Sequence, residues 1–212
     1  ITMKNLINLK SILMYTLCIA GTLVIATSCS ENRTNDSRDV AEQENKSKLT
    51  SDNRTGDNRT AVVIDNDNDA QFLMDAAEMR YENISLGQLA QQKGNTADVK
   101  ELGKMMEEEN TKSLNELRTL AQSKSIAIPT SVTEDSRDAH KDLSDKNGND
   151  FGKSYSSRMV DQHEDAIDLY EKAANDSEDP QIKAYASENL TTLKTQLRKA
   201  KECKDKSDKR SS

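Results

Sequence analysis

Apolar residues recur at spacings of three and four in four separate stretches of this chain, and that spacing predicts four helices. Phe72, Ala76, Met79, Leu86 and Ala90 share one face of a first helix over about 70–93, which Gly94 and Asn95 end. Asn95 or Thr96 caps a second helix, which runs to about Lys124 through Val99, Leu102, Met106, Leu114, Leu117 and Leu120. Phe151, Tyr155, Met159, Ala166, Tyr170 and Ala173 line a third over about 150–174. Asp179-Pro180 starts the fourth, with Asp suited to the cap and Pro to the first helical position. Its apolar stripe is Ile182, Ala186, Leu190, Leu193, Leu197 and Ala200.

The links between these helices differ in length. Two are tight; the central one has about 25 residues, contains Pro129 and Gly148, and has room for a short helix near 137–145. Two tight links and one long connection predict an all-α fold, a ferritin-like four-helix bundle with one long crossover between helices two and three. An up-down-up-down bundle with a mobile central loop is the alternative.

The pattern changes upstream. An apolar run over 11–26 follows Met3, Lys4 and Lys10 and closes on Ala26-Thr27-Ser28-Cys29. A basic start, an apolar centre and small residues before a cysteine describe a lipoprotein export signal. The run is shorter than the roughly 20 residues of a spanning helix. Residues 1–28 therefore read as a signal peptide and Cys29 as the site of lipid attachment, with an uncleaved signal anchor as the alternative. The expected location is the cell envelope, lipid-anchored, at the outer membrane facing the periplasm.

Residues 29–68 are dominated by Asn, Asp, Ser, Arg, Thr and Glu and read as a disordered tether. Such a coil averages about 35 Å end to end. Asp65-Asn66-Asp67-Asn68-Asp69 resembles the start of a calcium loop, but Ala70 and Ala76 stand where that loop needs Gly and Glu. The aspartates read instead as N-capping groups for the first helix. The bundle domain is then 69–203, and 204–212 a charged, frayed tail.

Composition narrows the function. With 32% charged and 33% hydrophobic residues, two Phe and no Trp, the chain can bury only a thin core. A net charge of -7 argues against a nucleic-acid partner, which calls for a basic surface. Ferritin-like metal centres need Glu-x-x-His on two helices, and no Glu-x-x-His occurs. Glu107-Glu108-Glu109-Asn110 ends in an amide, and Asp161-Gln162-His163 lacks the Glu three residues before its histidine. No glycine-rich phosphate loop and no strand-turn-helix nucleophile is found. No catalytic residue, metal ligand set or cofactor is expected, and the protein does not read as an enzyme.

Four polar residues interrupt the apolar faces: Asn83, Asn110, His163 and Gln196. They form a candidate interior polar layer, in which hydrogen-bonded amides and one satisfied histidine fix the register of the helices. A mononuclear metal or small-ligand pocket built on His163 is the alternative. His140 reads as a solvated residue, and Glu107, Glu108 and Glu109 as a solvated helix face. Cys203 reads as an exposed bystander, or as one half of an intermolecular disulfide.

From Asp69 to about Cys203 the chain resembles the bacterial domain of unknown function 4142, labelled as exported or outer-membrane proteins and grouped with ferritin-like folds. The resemblance rests on Asp69-Ala70-Gln71-Phe72 with Ala76-Ala77-Glu78, on Leu86-Gly87-Gln88-Leu89-Ala90 and on Val99 to Met106. It continues in Leu117-x-x-Leu120-Ala121 with Ile128-Pro129, in Tyr155-x-x-x-Met159-Val160-x-x-His163, and in Leu190-x-x-Leu193-x-x-x-Leu197. Members often carry histidine in helices two, three and four. Those positions map to Asn110, His163 and Gln196, so only His163 keeps the imidazole. The resemblance implies a fold and a location but no reaction. The sequence thus reads as a membrane-anchored, non-enzymatic helical module of the envelope, serving interaction with an unidentified envelope protein, stress tolerance or envelope maintenance. A ferritin-like metal- or cofactor-binding protein using His163 is the alternative.

Overall fold

The computed structural model describes residues 36–51 and 67–210. They form six helices and no strand: α1 (Ser37–Ser51), α2 (Asp67–Lys93), α3 (Ala97–Ser123), α4 (Glu134–Ser144), α5 (Gly148–Asp176) and α6 (Pro180–Arg210). The all-helical class is the one expected. The signal segment and Cys29 lie outside the described residues, and none of the described helices is long and apolar enough to cross a membrane.

Local chemistry sets the helix ends. Thr96, not Asn95, caps α3, its hydroxyl accepting from the Val99 N–H at 3.4 Å. Asp179 caps α6, one carboxylate oxygen accepting from the N–H groups of Gln181 (2.8 Å) and Ile182 (3.1 Å). Asp67 and Asp69 fall inside the first turn of α2, where their charge opposes the positive end of the helix dipole. The short helix expected near 137–145 is α4, which begins at Glu134.

At the end of α3 the chain closes with Ser125 N–H donating to Gln122 O (3.0 Å) and Ile126 N–H to Ala121 O (2.9 Å). This double closure requires a left-handed residue, and Ser125 takes it with φ 57°. Glycine adopts that conformation without the Cβ penalty. Ser125→Gly is therefore expected to raise stability by about 1 kcal/mol, read as a shift of the urea midpoint at unchanged slope.

α2 packs mainly on α3, and α5 on α6; further contacts join α2 to α5 and α3 to α6. The apolar core has two parts. One gathers Phe72, Leu73, Leu114, Leu117, Tyr170, Ile182 and Leu193. The other gathers Leu86, Val99, Leu102, Met106, Phe151, Tyr155 and Met159. α2 and α3 cross with their backbones in contact: a Cβ on Gly103 would lie 2.7 Å from Gly87 O, and one on Gly87 2.6 Å from Gly103 O.

Two segments differ from expectation. Ser37–Ser51, expected within a disordered tether, forms α1; the other residues of that tether up to 66 lie outside the described residues, except Asp36. Helix formers and three i,i+4 pairs (Arg38–Glu42, Glu42–Lys46, Glu44–Lys48) support α1, which among its described side chains buries only Ala41 and Asn45. The expected frayed tail is instead the last turns of α6, which continue to Arg210. Lys206 and Arg210 pair there with Asp98 in the first turn of α3, and Ser207 is buried. Cys203 is likewise buried rather than exposed, so its thiol does not face an outside partner.

Candidate functional site

All four expected interior residues are buried: Asn83, Asn110, His163 and Gln196. They stand between the two apolar clusters, and on each helix the order is cluster, polar residue, cluster. On α3, for example, Met106 belongs to one cluster, Leu114 to the other, and Asn110 lies between. The structure joins His163 to Gln196 but joins Asn110 to a residue the sequence reading missed, Arg80. Asn83 bonds to neither, and its Oδ1 is buried without a partner.

Arg80 is only 2% exposed. One terminal nitrogen donates to Asn110 Oδ1 (2.8 Å), and the other to the Tyr170 hydroxyl (3.1 Å) and Asn189 Oδ1 (3.4 Å). The guanidinium carbon lies 5.4 Å from the Tyr170 ring centroid. Asn110 and Asn189 are held for this task, their amide groups donating to Met106 O (2.8 Å) and Tyr185 O (2.9 Å). An arginine does not lose its proton in a protein. The core therefore holds a full positive charge, and every acceptor named here is neutral.

His163 is fully buried. Its Nδ1 lies 2.7 Å from Met159 O, and since a carbonyl only accepts, Nδ1 carries the proton. Nε2 lies 3.2 Å from Gln196 Oε1, while Gln196 Nε2 donates to Glu109 Oε2 at 2.7 Å. That amide orientation suits an imidazolium; a neutral ring calls for the amide turned over, its NH2 toward Nε2. Burial, with the nearby Arg80 charge acting the same way, pushes the His163 pKa down to about 4.

The unfolded chain, with an ordinary histidine pKa of 6.5, takes up the proton first as pH falls. Neutral His163 thus contributes stability above pH 6.5 that is lost as pH falls through about 4, amounting to about 3 kcal/mol. Urea unfolding of the wild type and His163→Gln between pH 7 and pH 4 measures it: the gap between the two proteins should narrow on acidification.

Among the described residues no three His, Cys, Asp or Glu side chains converge to hold a metal ion. Both ring nitrogens of His163 already face protein groups, Met159 O and the Gln196 amide. Glu107, Glu108 and Glu109 do not form one solvated face: Glu107 accepts from Gln88 (2.8 Å) and Gln91 (2.6 Å), Glu109 from Gln196, and Glu108 alone is exposed. Burial raises the Cys203 thiol pKa, which argues against a nucleophile there. His140 is half-buried on α4.

A second feature is a groove of about 690 Å³ between α2, α4 and α5. α2 contributes Asp75, Glu78 and Glu82; α4 contributes Asp135 and Asp142; α5 contributes Asp161 and Asp165. Against these seven carboxylates stand Lys146 and Arg158. Glu82, 7% exposed, accepts from Arg158 Nε at 2.7 Å. Its burial raises the carboxyl pKa against the pull of that arginine. The carboxylates of Asp135, Asp142 and Asp165 bond to no other described residue. Met79, Ala139 and Leu143 give the groove an apolar part, and Gln162 Oε1 is buried beside it without a donor.

These parts define an all-helical domain with a charged interior layer and an acidic groove. The chain belongs to the family described as Domain of unknown function (DUF4142), which matches residues 57–203 and bears out the resemblance seen in the sequence. Among solved structures it is similar to the crystal structure of a DUF305 fragment from Deinococcus radiodurans. The TM-score is 0.58 at 11% identity, over 66% of this chain and 97% of that one. At that identity the likeness concerns the fold alone. No curated protein matches the chain.

Proposed function

We propose that this protein is a lipid-anchored, non-enzymatic interaction module of the bacterial cell envelope whose acidic groove receives a Lys/Arg-rich segment of an envelope partner. Its core is a ferritin-like four-helix bundle of α2, α3, α5 and α6, with α4 inside the crossover. The observation that carries the reading is the layout of the groove charge. Its carboxylates are spread over three helices instead of converging on a point, which suits an extended polycation better than a metal ion.

The dimensions agree. On α5 the lining runs from Ser154 to Asp165, about 16 Å at the helical rise, which is the length of about five extended residues. The methylene stems of lysine and arginine pack on Met79, Ala139 and Leu143 while their charged ends reach the rim. Ala26-Thr27-Ser28-Cys29 supports the anchor. The module then faces the periplasm from the outer membrane.

Fluorescence anisotropy of a labelled octa-arginine peptide against the soluble chain beginning at Ser30 tests the groove. Exchanging Asp135, Asp142 and Asp165 together for Asn should weaken binding about tenfold at low salt. Equal affinity in wild type and triple variant would sink the groove reading. For the anchor, labelled palmitate should enter the protein in a bacterial host and be lost with Cys29→Ser.

A further inference from the structure

Two of the carboxylates that line the groove already hold a guanidinium supplied by α1. Arg38 sends its two terminal nitrogens to Glu78 and Asp75, each at 2.6 Å, and both carboxylates line the groove. The family match starts at residue 57, so α1 lies outside the matched region.

The way α1 is held differs from every other long helix. Of its described side chains only Ala41 and Asn45 are buried, and Val40 points outward at 48% exposure. Polar contacts do the rest. Asn45 pairs both ways with the backbone of Ala127, donating to its O (2.9 Å) and accepting from its N–H (2.8 Å). Lys48 donates to Ser125 O (2.8 Å), and Asp36 accepts from the Glu134 N–H (2.5 Å) and Arg137 (3.3 Å). A segment attached with so little apolar burial has the character of a locally opening unit. Its ion pairs are part-exposed, so salt and competing cations weaken them. At 15 residues α1 is also at the limit for an isolated helix, so release melts it.

We propose that α1 is a releasable strap: docked, it seats Arg38 on Asp75 and Glu78 and closes that part of the groove; a basic ligand displaces it. This deepens the groove reading and rests on it. Displacement also changes reach if Cys29 carries lipid. Seven residues lead from Cys29 to Asp36 and span at most about 25 Å, so docking holds the domain against the membrane. With the strap released, Asp67 is 38 residues from Cys29, a chain length that reaches at most about 130 Å. Ligand capture and standoff distance become one equilibrium.

Hydrogen exchange read by mass spectrometry on the soluble chain from Ser30 tests this without lipid. Raising NaCl from about 20 to about 500 mM should speed exchange of the α1 amides about tenfold and leave α2–α6 unchanged. Arg38→Gln at low salt should do the same. Saturating octa-arginine should also release α1, and Arg38→Gln should bind that peptide about threefold more tightly, since the competitor is gone. α1 amides that stay as protected as the core in high salt and in Arg38→Gln overturn the strap. Salt- and Arg38-dependent release without peptide binding upholds the strap while the groove reading fails, so the two failures are distinguishable.

Discussion

Arg80→Ala is expected to lower the unfolding free energy by about 4 kcal/mol. Two losses add. The long side chain leaves a cavity between α2, α3, α5 and α6, and Asn110 Oδ1, the Tyr170 hydroxyl and Asn189 Oδ1 lose their shared donor. Buried acceptors left bare cost about 1–3 kcal/mol each, and relief of the buried charge offsets part of this. Arg80→Met keeps most of the stem volume and removes the charge, so it should cost about half as much. Because the Arg80 charge adds to burial in holding the His163 pKa down, His163 should titrate at higher pH in Arg80→Met, read from its ring proton resonances. An unchanged His163 titration would mean that the two halves of the polar layer do not sense each other.

Gly103→Ala should be the other damaging change, although it replaces a poor helix former with the best one. Propensity alone favours the variant by about 1 kcal/mol. Against that, the new Cβ would lie 2.7 Å from Gly87 O and 2.8 Å from the Ala90 Cβ. A carbonyl on a facing helix cannot rotate away, so α2 and α3 must separate along their whole contact. Overpacking of this kind costs about 3 kcal/mol, leaving a net loss of about 2 and a melting temperature lower by about 6 °C. Gly87→Ala should behave alike. The double variant should lose less than the sum, since both methyls press on one crossing. Calorimetry on the three proteins decides it.

The long helices were legible because each buries one stripe, and the stripe repeats with the helical period. Asp179 and Thr96 were legible for a local reason, since a capping side chain acts within three residues of itself. Arg80 escaped because the stripe on α2 was centred on Met79. The structure centres it one residue on, through Ala76, Arg80, Asn83 and Gly87, all buried, while Met79 is only half-buried. The spacing of four, three and four was there to be read. A charged residue in it is what misled.

The end of α6 has the same history. Leu193, Gln196, Ala200, Cys203 and Ser207 continue one buried stripe at spacings of three and four, hidden among lysines. α1 was illegible for a different reason. It has no stripe, because its attachment is polar and its partners lie 29 to 101 residues away in sequence. The groove could not be seen at all before the fold, since three helices supply its walls.

Cys203 gives the molecule a built-in clock. A soluble chain beginning at Ser30 lacks Cys18 and Cys29 and contains no thiol but Cys203. Cys203 is 4% exposed and its ionisation is suppressed by burial, so a thiol reagent must wait for the α3–α6 contact to part. The labelling rate at rising reagent concentration therefore reports how often that end of the protein breathes, with no probe introduced.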